Sequence, residues 1–229
     1  MSIIEEIFEY PFLMRIFNKL LTDIEKIRLI CNKFIYNNKY KLRFNEQYYV
    51  NSLHKNDWYF NCLTNVRIYS NFELPINTTH LFYDHKDPIN FMLPNTITHL
   101  TFGYLFNQHI AQYRFSERER NNGTHKNPIF VKSFIPDSVI HLEFGRCFNK
   151  PIEKCIPDSI KHLELGNAFR YTIKDLPESI ISLHVYSPNC KIGNSLKLPK
   201  SLRDLIIHIR FKNLIKDMIS DDVEVEYIK

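Results

Sequence analysis

Residues 135–152 read Ile-Pro-Asp-Ser-Val-Ile-His-Leu-Glu-Phe-Gly-Arg-Cys-Phe-Asn-Lys-Pro-Ile. From Ile156 the chain reads Ile-Pro-Asp-Ser-Ile-Lys-His-Leu-Glu-Leu-Gly-Asn-Ala-Phe, which matches the first stretch column by column. Self-similarity at a fixed period of about 20 to 50 residues is typical of repeat architectures. The two stretches therefore predict a stack of similar coils, and the period determines how the rest of the chain is interpreted.

The repeat unit recurs along most of the chain. An apolar residue followed by proline begins a unit at Leu74, Leu93, Ile135, Ile156, Leu176 and Leu198. The steps between these starts are 19, 42, 21, 20 and 22 residues. The step of 42 spans two periods, but about residues 111–131 lack the proline and the apolar spacing. We therefore interpret that segment as a loop inserted into one coil.

Three apolar positions in each unit predict one short strand. They lie at +4, +7 and +9 from the unit start, and the spacing of two between the last pair is that of a strand with one buried face. In the clearest units they are Val139, Leu142 and Phe144; Ile160, Leu163 and Leu165; Ile180, Leu183 and Val185; Leu202, Leu205 and Ile207. Stacking buries apolar groups that one coil of about 21 residues cannot cover alone.

The other recurring residues predict how each coil turns. Gly103, Gly145 and Gly166 follow directly after the strands, which suggests a turn that needs a positive φ. Proline presets φ and donates no hydrogen bond, so its column belongs at a corner of the coil. A hydroxyl follows two residues later and is expected to accept a hydrogen bond within its own turn. These hydroxyls belong to Thr96, Ser138, Ser159, Ser179 and Ser201.

The residues before the repeats have a helical pattern. Residues 3–36 show the apolar spacing of two short helices, the second with a buried stripe that includes Ile24, Ile27 and Phe34. We divide the chain into a helical segment at 1–50, a linker with a degenerate first rung at 51–73, and a solenoid at 74–229 that ends in a capping strand at about 219–229. The predicted fold class is α+β, a short helical segment followed by a repeat solenoid with a parallel sheet.

The repeat unit resembles the FNIP repeat, a degenerate relative of the leucine-rich repeat. Phe148-Asn-Lys-Pro-Ile152 has the sequence after which that family is named, and Phe106-Asn-Gln-His-Ile110 retains all of it except proline. The family occurs in proteins of social amoebae and of large viruses that infect amoebae. The resemblance implies a leucine-rich-repeat-like solenoid used for protein-protein interaction.

The N-terminal helices resemble an F-box. Asp23-Ile-Glu-Lys-Ile-Arg-Leu-Ile-Cys-Asn-Lys-Phe34 is similar to the second half of that motif, and Arg15-Ile-Phe-Asn-Lys-Leu20 is similar to the helix before it. The family pattern opens with Leu-Pro and an acidic residue ahead of an Ile-Leu pair, whereas here Pro11 lies too close to Ile16. The resemblance implies a substrate-recognition adaptor that binds the Skp-type subunit of a cullin ubiquitin ligase through Ile16, Phe17, Leu20, Ile27 and Leu29. The alternative is a stand-alone scaffold whose N-terminal helices only cap the apolar end of the solenoid.

Two columns of side chains are predicted to lie on the exposed face of the sheet. The first is His80, His99, His141, His162, Ser182 and Asp204, and the second is Phe82, Thr101, Glu143, Glu164, His184 and Ile206. We expect a target protein to bind at His80, His99, Thr101, His141, Glu143, His162, Glu164 and His184. A metal-dependent enzyme, with a divalent metal held by His141, His162 and Glu164, is a remote alternative. Copying of units produces identical columns without selection for metal binding, so we favour a surface for a partner.

Composition and motifs exclude several other classes. The formal net charge of +5 over 229 residues is too small and too dispersed for a nucleic-acid binder. The five cysteines are scattered and never in Cys-x-x-Cys spacing, which argues against a disulfide framework or a cysteine zinc site. No apolar run approaches the roughly 18 residues of a membrane span, and no phosphate loop or catalytic motif occurs. We expect a monomer that is not an enzyme, has no cofactor, and lies in the cytoplasm, which is the host cytoplasm if the protein is viral.

Overall fold

The computed structural model describes residues 44–50, 63–69, 74–114, 129–192 and 197–229. Within these ranges the chain forms thirteen strands: β1 Phe44–Val50, β2 Leu63–Ile68, β3 His80–Tyr83, β4 His99–Phe102, β5 Ala111–Arg114, β6 Ile129–Ser133, β7 His141–Phe144, β8 His162–Leu165, β9 Thr172–Ile173, β10 Ser182–Val185, β11 Lys191–Ile192, β12 Asp204–His208 and β13 Glu224–Ile228. One short α-helix, α1 Lys212–Ile215, lies between 3₁₀ turns at Ile209–Phe211 and Lys216–Met218. No helix in these ranges has the length and apolar character needed to cross a membrane.

One parallel sheet organises the described residues. Nine strands lie in the order β1-β2-β3-β4-β7-β8-β10-β12-β13, and every neighbouring pair is parallel. Each repeat unit from Leu74 onward contributes one strand to this sheet, and the chain returns on the far side of the core before the next strand. The parallel-sheet solenoid predicted from the repeat period is confirmed.

The core consists of the apolar columns that the repeats predict. All twelve side chains at positions +4, +7 and +9 of the four clearest units are at most 4% exposed. The far wall is a second set of buried residues: Phe106, Phe148, Phe169 and Phe211, with Ile110, Ile152, Ile173 and Ile215. Successive phenylalanine rings of this wall stack at about one ring per coil, with centroids 6.3 Å apart for Phe106 and Phe148 and 6.2 Å apart for Phe148 and Phe169. The coils therefore bury their side chains mainly against equivalent side chains of their neighbours.

The prolines lie at a corner of each coil, as expected. In every unit the proline carbonyl accepts a hydrogen bond from the N–H three residues later, with N to O distances of 3.1 to 3.2 Å. The hydroxyl column differs from its prediction. Each hydroxyl donates to a carbonyl of the preceding coil, at 2.7 Å in all five cases. The pairs are Thr96 to Thr78, Ser138 to Ile97, Ser159 to Val139, Ser179 to Ile160 and Ser201 to Ile180.

Removal of one hydroxyl from this ladder is expected to have a measurable cost. Ser159→Ala leaves the Val139 carbonyl without its donor at a site shielded by the next coil, and we expect the free energy of unfolding to fall by about 1 to 2 kcal/mol. Urea denaturation measures the change, with Ser220→Ala at an exposed serine as the control. A loss at Ser159 no larger than at Ser220 would contradict the ladder.

The glycine column has a different cause from the one predicted. None of Gly103, Gly145 and Gly166 has a φ in the left-handed region. The non-glycine residues that have a positive φ in the described ranges are Lys154, at 59°, and Asp175, at 49°. A Cβ on Gly145 would instead overlap the Gly103 carbonyl, lying 2.6 Å from its carbon. These glycines allow the backbones of successive coils to approach closely, and this requirement explains their alignment in one column.

Asparagine forms a third connection between coils, which the sequence analysis did not identify. The Asn107 side-chain oxygen accepts from the Asn149 N–H at 2.9 Å, and the Asn149 oxygen accepts from the Arg170 N–H at 2.9 Å. Both asparagines follow a phenylalanine of the far wall. Beyond them, β9 and β11 pair as a small parallel sheet on the return side of the last regular coils.

The inserted segment between the second and third units begins and ends in strands. β5 and β6 pair as an antiparallel ribbon, with Ala111 opposite Ser133 and Arg114 opposite Ile129. The Ser133 hydroxyl donates to the Cys155 carbonyl at 2.7 Å, which attaches the ribbon to the following coil. The loop predicted at 111–131 is therefore a ribbon at its base, and residues 115–128 lie outside the described part.

The N-terminal segment was predicted incorrectly at its end. Residues 44–50, placed in the helical segment, form β1, which pairs with β2 as the first strand of the sheet. Phe44, Tyr48, Tyr49 and Val50 are residue types that favour strands, and an adjacent parallel strand provides their backbone partners. The proposed helices lie within residues 1–43, outside the described residues. At the other end β13 pairs with β12 along its whole length and forms the edge of the sheet.

Candidate protein-interaction face

The strand register brings the two outward columns together as the repeats predict. His80 pairs with His99, His99 with His141, and His141 with His162, and the column continues through Ser182 to Asp204. Two residues along each strand, the register aligns Phe82, Thr101, Glu143, Glu164, His184 and Ile206. Side chains at these positions alternate with the buried leucines, so they lie on the face of the sheet opposite the core.

The four histidines form a continuous stack of rings. Ring centroids are 4.0 Å apart between His80 and His99, and 4.1 Å apart in each of the next two pairs. The angle between ring planes falls from 14° to 10° to 0° along the column. Face-to-face contact removes water from both faces of the inner rings, so only their edges are available to a partner.

Threonines beside the first two histidines contact one nitrogen of each ring. The Thr98 hydroxyl lies 2.9 Å from Nδ1 of His99 and 3.2 Å from the Thr79 carbonyl. The Thr79 hydroxyl lies 2.9 Å from Nδ1 of His80 and 3.2 Å from the Thr64 carbonyl. In both rings the contact between the hydroxyl and Nδ1 therefore helps to orient the imidazole.

Stacking and burial disfavour the charged form of these histidines. Burial, followed by the neighbouring imidazoles of His80, His141 and His162, lowers the pKa of His99 to about 4. Burial also lowers the pKa of His80, and burial with His162 and His80 lowers the pKa of His141. These three histidines of the column are consequently neutral at pH 7.

The carboxylates of the second column also influence one another. Burial raises the pKa of Glu164, the carboxylate of Glu143 on the next strand raises it further, and His184 partly opposes both effects. Thr101 donates its hydroxyl to the Glu143 carboxylate at 3.1 Å. The column therefore combines one exposed and one half-buried carboxylate on adjacent strands.

Ser182, His184 and Asp204 form a polar cluster where the histidine stack ends. The Ser182 hydroxyl donates to Oδ2 of Asp204 at 2.7 Å, and His184 Nε2 lies 2.7 Å from that same oxygen and 3.0 Å from the hydroxyl. The hydrogen bond from Ser182, together with His184, lowers the pKa of Asp204. In a nucleophilic triad the serine and the carboxylate contact opposite nitrogens of the imidazole. Here both contact Nε2, so this cluster cannot pass a proton from serine to histidine to aspartate.

The opposite end of the face carries a cation. The guanidinium of Arg67 on β2 lies 4.1 Å from the ring centroid of Phe82 and forms an ion pair with Asp84 at 2.5 Å. Neither Arg67 nor Asp84 was identified from the sequence, because their pairing depends on the β2–β3 register in a unit that lacks the full repeat pattern.

The metal alternative has no geometric support in the described ranges. No group of three or more His, Cys, Asp or Glu side chains there is arranged to hold an ion. The planes of His141 and His162 are parallel and 4.1 Å apart. Their nitrogens therefore lie above one another, whereas metal ligands must converge on one point.

The middle of the face is a shallow groove of about 300 Å³. Its lining includes most of the residues predicted to bind a target: His99, Thr101, His141, Glu143, His162, Glu164 and His184. His80 lies beyond one end of this groove, still in the ring stack. The adaptor-binding residues Ile16, Phe17, Leu20, Ile27 and Leu29 lie outside the described residues.

Known proteins with this repeat provide an independent comparison. The FNIP repeat family model matches residues 127–168. This stretch contains β6 to β8 and the Phe148–Ile152 segment, so the FNIP resemblance is confirmed there. No F-box is shown.

Comparison with other known proteins gives a similar solved structure and no curated relative. No curated protein matches the chain. The crystal structure of CroV588, described as a novel circular LRR protein, matches with a TM-score of 0.48 and 24% identity. The match covers 73% of this chain and 31% of the CroV588 chain, so this chain spans about a third of that protein.

The histidines of the sheet face are expected to make stability depend on pH. His80, His99 and His141 have lowered pKa values in the folded state, so the unfolded chain binds more protons below its ordinary histidine pKa of 6.5. The contribution of their neutral forms to the free energy of unfolding is therefore complete above about pH 6.5 and is lost as the pH falls towards 4. Allowing for partial exposure of the rings, we expect unfolding at pH 5 to require about 1 to 2 kcal/mol less than at pH 7.

Thermal unfolding between pH 5 and 8 measures this dependence. Glu164 acts in the opposite direction because its pKa is raised, and Asp204 acts in the same direction as the histidines but at lower pH. His99→Phe retains a ring in the stack and removes one titrating group, so it should flatten the curve. His85→Phe, outside the column, is the control, and an equal flattening by both would contradict the role of the stack.

Proposed function

We propose that the protein is a protein-protein interaction module that holds a target protein on its sheet face. The repeat solenoid is consistent with an interaction scaffold. The observation that carries the proposal is the central groove, lined by outward side chains of four adjacent strands. Coil stacking uses the apolar, proline, hydroxyl, glycine and asparagine columns, whereas the glutamates and the edges of the histidine rings in the groove face away from the core. Those groups are thus available to a partner.

Affinity capture with two matched double variants tests the interaction face. Glu143→Arg/Glu164→Arg reverses two charges in the groove, and Asp137→Arg/Asp158→Arg reverses two charges at exposed corners of the same two units. We expect the proteins captured by the wild-type chain to be lost with the groove variant and retained with the corner variant. Equal capture by all three forms would show that the partner binds elsewhere.

A more specific role is that of an adaptor in a Skp-cullin-F-box ubiquitin ligase. The proposal is supported by the F-box resemblance of residues 15–34 and by the FNIP repeat that follows. Residues 1–43 would bind the Skp-type subunit, while the sheet face would present the target. The protein would perform no chemistry itself, and it would act as a cytoplasmic monomer.

The position of β1 in the sheet determines which N-terminal deletion can test this role. Removal of residues 1–43 leaves β1 in the sheet, whereas removal of residues 1–50 would expose β2. We expect the full chain to capture a Skp-type subunit, and the chain that begins at Phe44 to lose it with an unchanged melting temperature. If the full chain does not bind and the deletion lowers the melting temperature, the N-terminal helices are a cap and the protein is a stand-alone scaffold.

A further inference from the structure

The groove presents hydrogen-bond acceptors to solvent. Glu143 and Glu164 place carboxylates on adjacent strands. Beside them, Nδ1 of His99 contacts the Thr98 hydroxyl at 2.9 Å. Two carboxylate acceptors therefore lie next to one another in the groove.

The hydroxyl donors of the groove are already engaged. Thr101 donates its hydrogen to Glu143, and Ser182 donates its hydrogen to Asp204. Because a hydroxyl has one hydrogen, neither can donate to a ligand without breaking its present bond. An occupant that supplied mainly acceptors, such as a carboxylate or a phosphate, would be repelled by the carboxylates of Glu143 and Glu164. An occupant that supplied several N–H groups would find acceptors in place.

The charge of the face favours the same kind of occupant. Outward positions from β7 to β13 carry five carboxylates, on Glu143, Glu164, Asp204, Glu224 and Glu226. In the outward columns that the structure describes from β2 to β13, the one lysine or arginine is Arg67, and it is paired with Asp84. The whole chain has a formal charge of +5, so this negative face is a local feature and is not a result of the overall composition.

We infer that the groove binds an arginine-containing basic segment of a partner protein, in an extended conformation across the strands. A guanidinium supplies five N–H donors in a plane, can pair with one carboxylate through two of them, and can offer others to the carboxylate on the adjacent strand. The inference rests on the proposed function, which assigns this face to a protein partner, and it adds the chemistry of that partner. Anionic partners such as nucleic acid are disfavoured by the same carboxylates.

Fluorescence anisotropy with labelled nona-arginine tests the inference on the full chain at pH 7.5. Nine extended residues reach about 30 Å, enough to cross the groove. We expect binding that Glu143→Gln/Glu164→Gln weakens about 10-fold or more, since two charge-assisted contacts are lost. The control Asp137→Asn/Asp158→Asn makes the same change in net charge at exposed corners and should weaken binding less than about 2-fold.

The remaining outcomes each decide a separate point. If the groove double variant and the corner double variant weaken nona-arginine binding equally, the peptide responds only to the overall charge of the chain. That result would overturn the inference. Labelled nona-glutamate and a neutral nonapeptide of alternating serine and tyrosine are measured alongside. If the neutral peptide binds and the groove double variant alone abolishes that binding, the proposed interaction face is supported. The proposal that the partner is basic is then wrong. If no peptide depends on the groove, both proposals fail.

Sedimentation of the free protein tests whether a second copy of the chain occupies the groove. The inserted segment contains Arg118 and Arg120, so a second copy of the chain could supply the basic residues. A monomer at the concentrations used supports a separate partner. If the protein self-associates and Glu143→Gln/Glu164→Gln abolishes the self-association, the assignment to a separate partner would be overturned.

Discussion

Replacing Gly145 by alanine will lower the free energy of unfolding by about 3 kcal/mol, at the upper end of what overpacking normally costs. The added methyl group would overlap the carbonyl of Gly103 and lie 2.9 Å from the carbonyl oxygen of Phe102. Both are backbone atoms held by the sheet, so no side-chain rotation can relieve the contact. The coils would have to separate locally, which breaks ladder hydrogen bonds and exposes apolar side chains on both sides.

Urea denaturation of Gly145→Ala measures this effect. Arg146→Ala is the matched control, because Arg146 is exposed in the same turn and its guanidinium lies 5.9 Å from the centroid of the Tyr104 ring. We expect that variant to lose less than about 1 kcal/mol. A loss at Gly145 as small as the control would mean that the coils are not in close contact at this column.

Replacing Phe148 by alanine will cost about 3 to 5 kcal/mol. Its side chain is fully buried and contacts the rings of Phe106, Phe144 and Phe169, with centroids 6.3, 4.0 and 6.2 Å away. The cavity left by alanine would be lined by aromatic rings from three coils. Since each ring is fixed by its own stack, the site has little freedom to collapse.

Phe134→Ala provides the comparison for that measurement. The substitution is chemically identical, but Phe134 is 39% exposed, and we expect it to cost about 1 kcal/mol. Calorimetry of both variants gives the difference directly. Similar losses at the two positions would contradict a core formed by the phenylalanine column.

The features that the sequence predicted are those that every copy of the unit repeats. Positions +4, +7 and +9 became buried columns because the same coil is stacked with the same register each time. Aligning Ile135 with Ile156 was therefore enough to place His141 beside His162 and Glu143 beside Glu164. For a repeat protein, sequence alignment of units and strand pairing contain the same information.

Contacts made between coils were predicted less well. The Ser159 hydroxyl and Gly145 each act on the backbone of the neighbouring coil, and the pattern of a single unit does not show which backbone atoms lie there. The proposed turn functions were reasonable within one coil, but the neighbouring coil changed them. Similarly, β1 has no recognisable unit pattern and forms a strand because β2 offers backbone groups to pair with.

The candidate site was predictable in position but not in chemistry. The columns followed from the register, whereas the direction of each hydrogen bond depends on single residues that differ between units. Thr98 precedes His99, while Lys161 precedes His162, so the threonine hydroxyl that contacts Nδ1 of His99 has no equivalent beside His162. The cluster of Ser182, His184 and Asp204 likewise arises where the histidine column changes residue type.

The register across the inserted segment has a consequence for how such a chain can evolve. β4 pairs with β7 across a step of 42 residues in the same alignment that β7 has with β8 across 21. The register between these coils is thus the same whether 42 or 21 residues separate the paired positions. Recombination that gains or loses whole units would join coils that carry the same columns in the same register. Natural selection could then act on the length of the array and on its outward residues as separate traits.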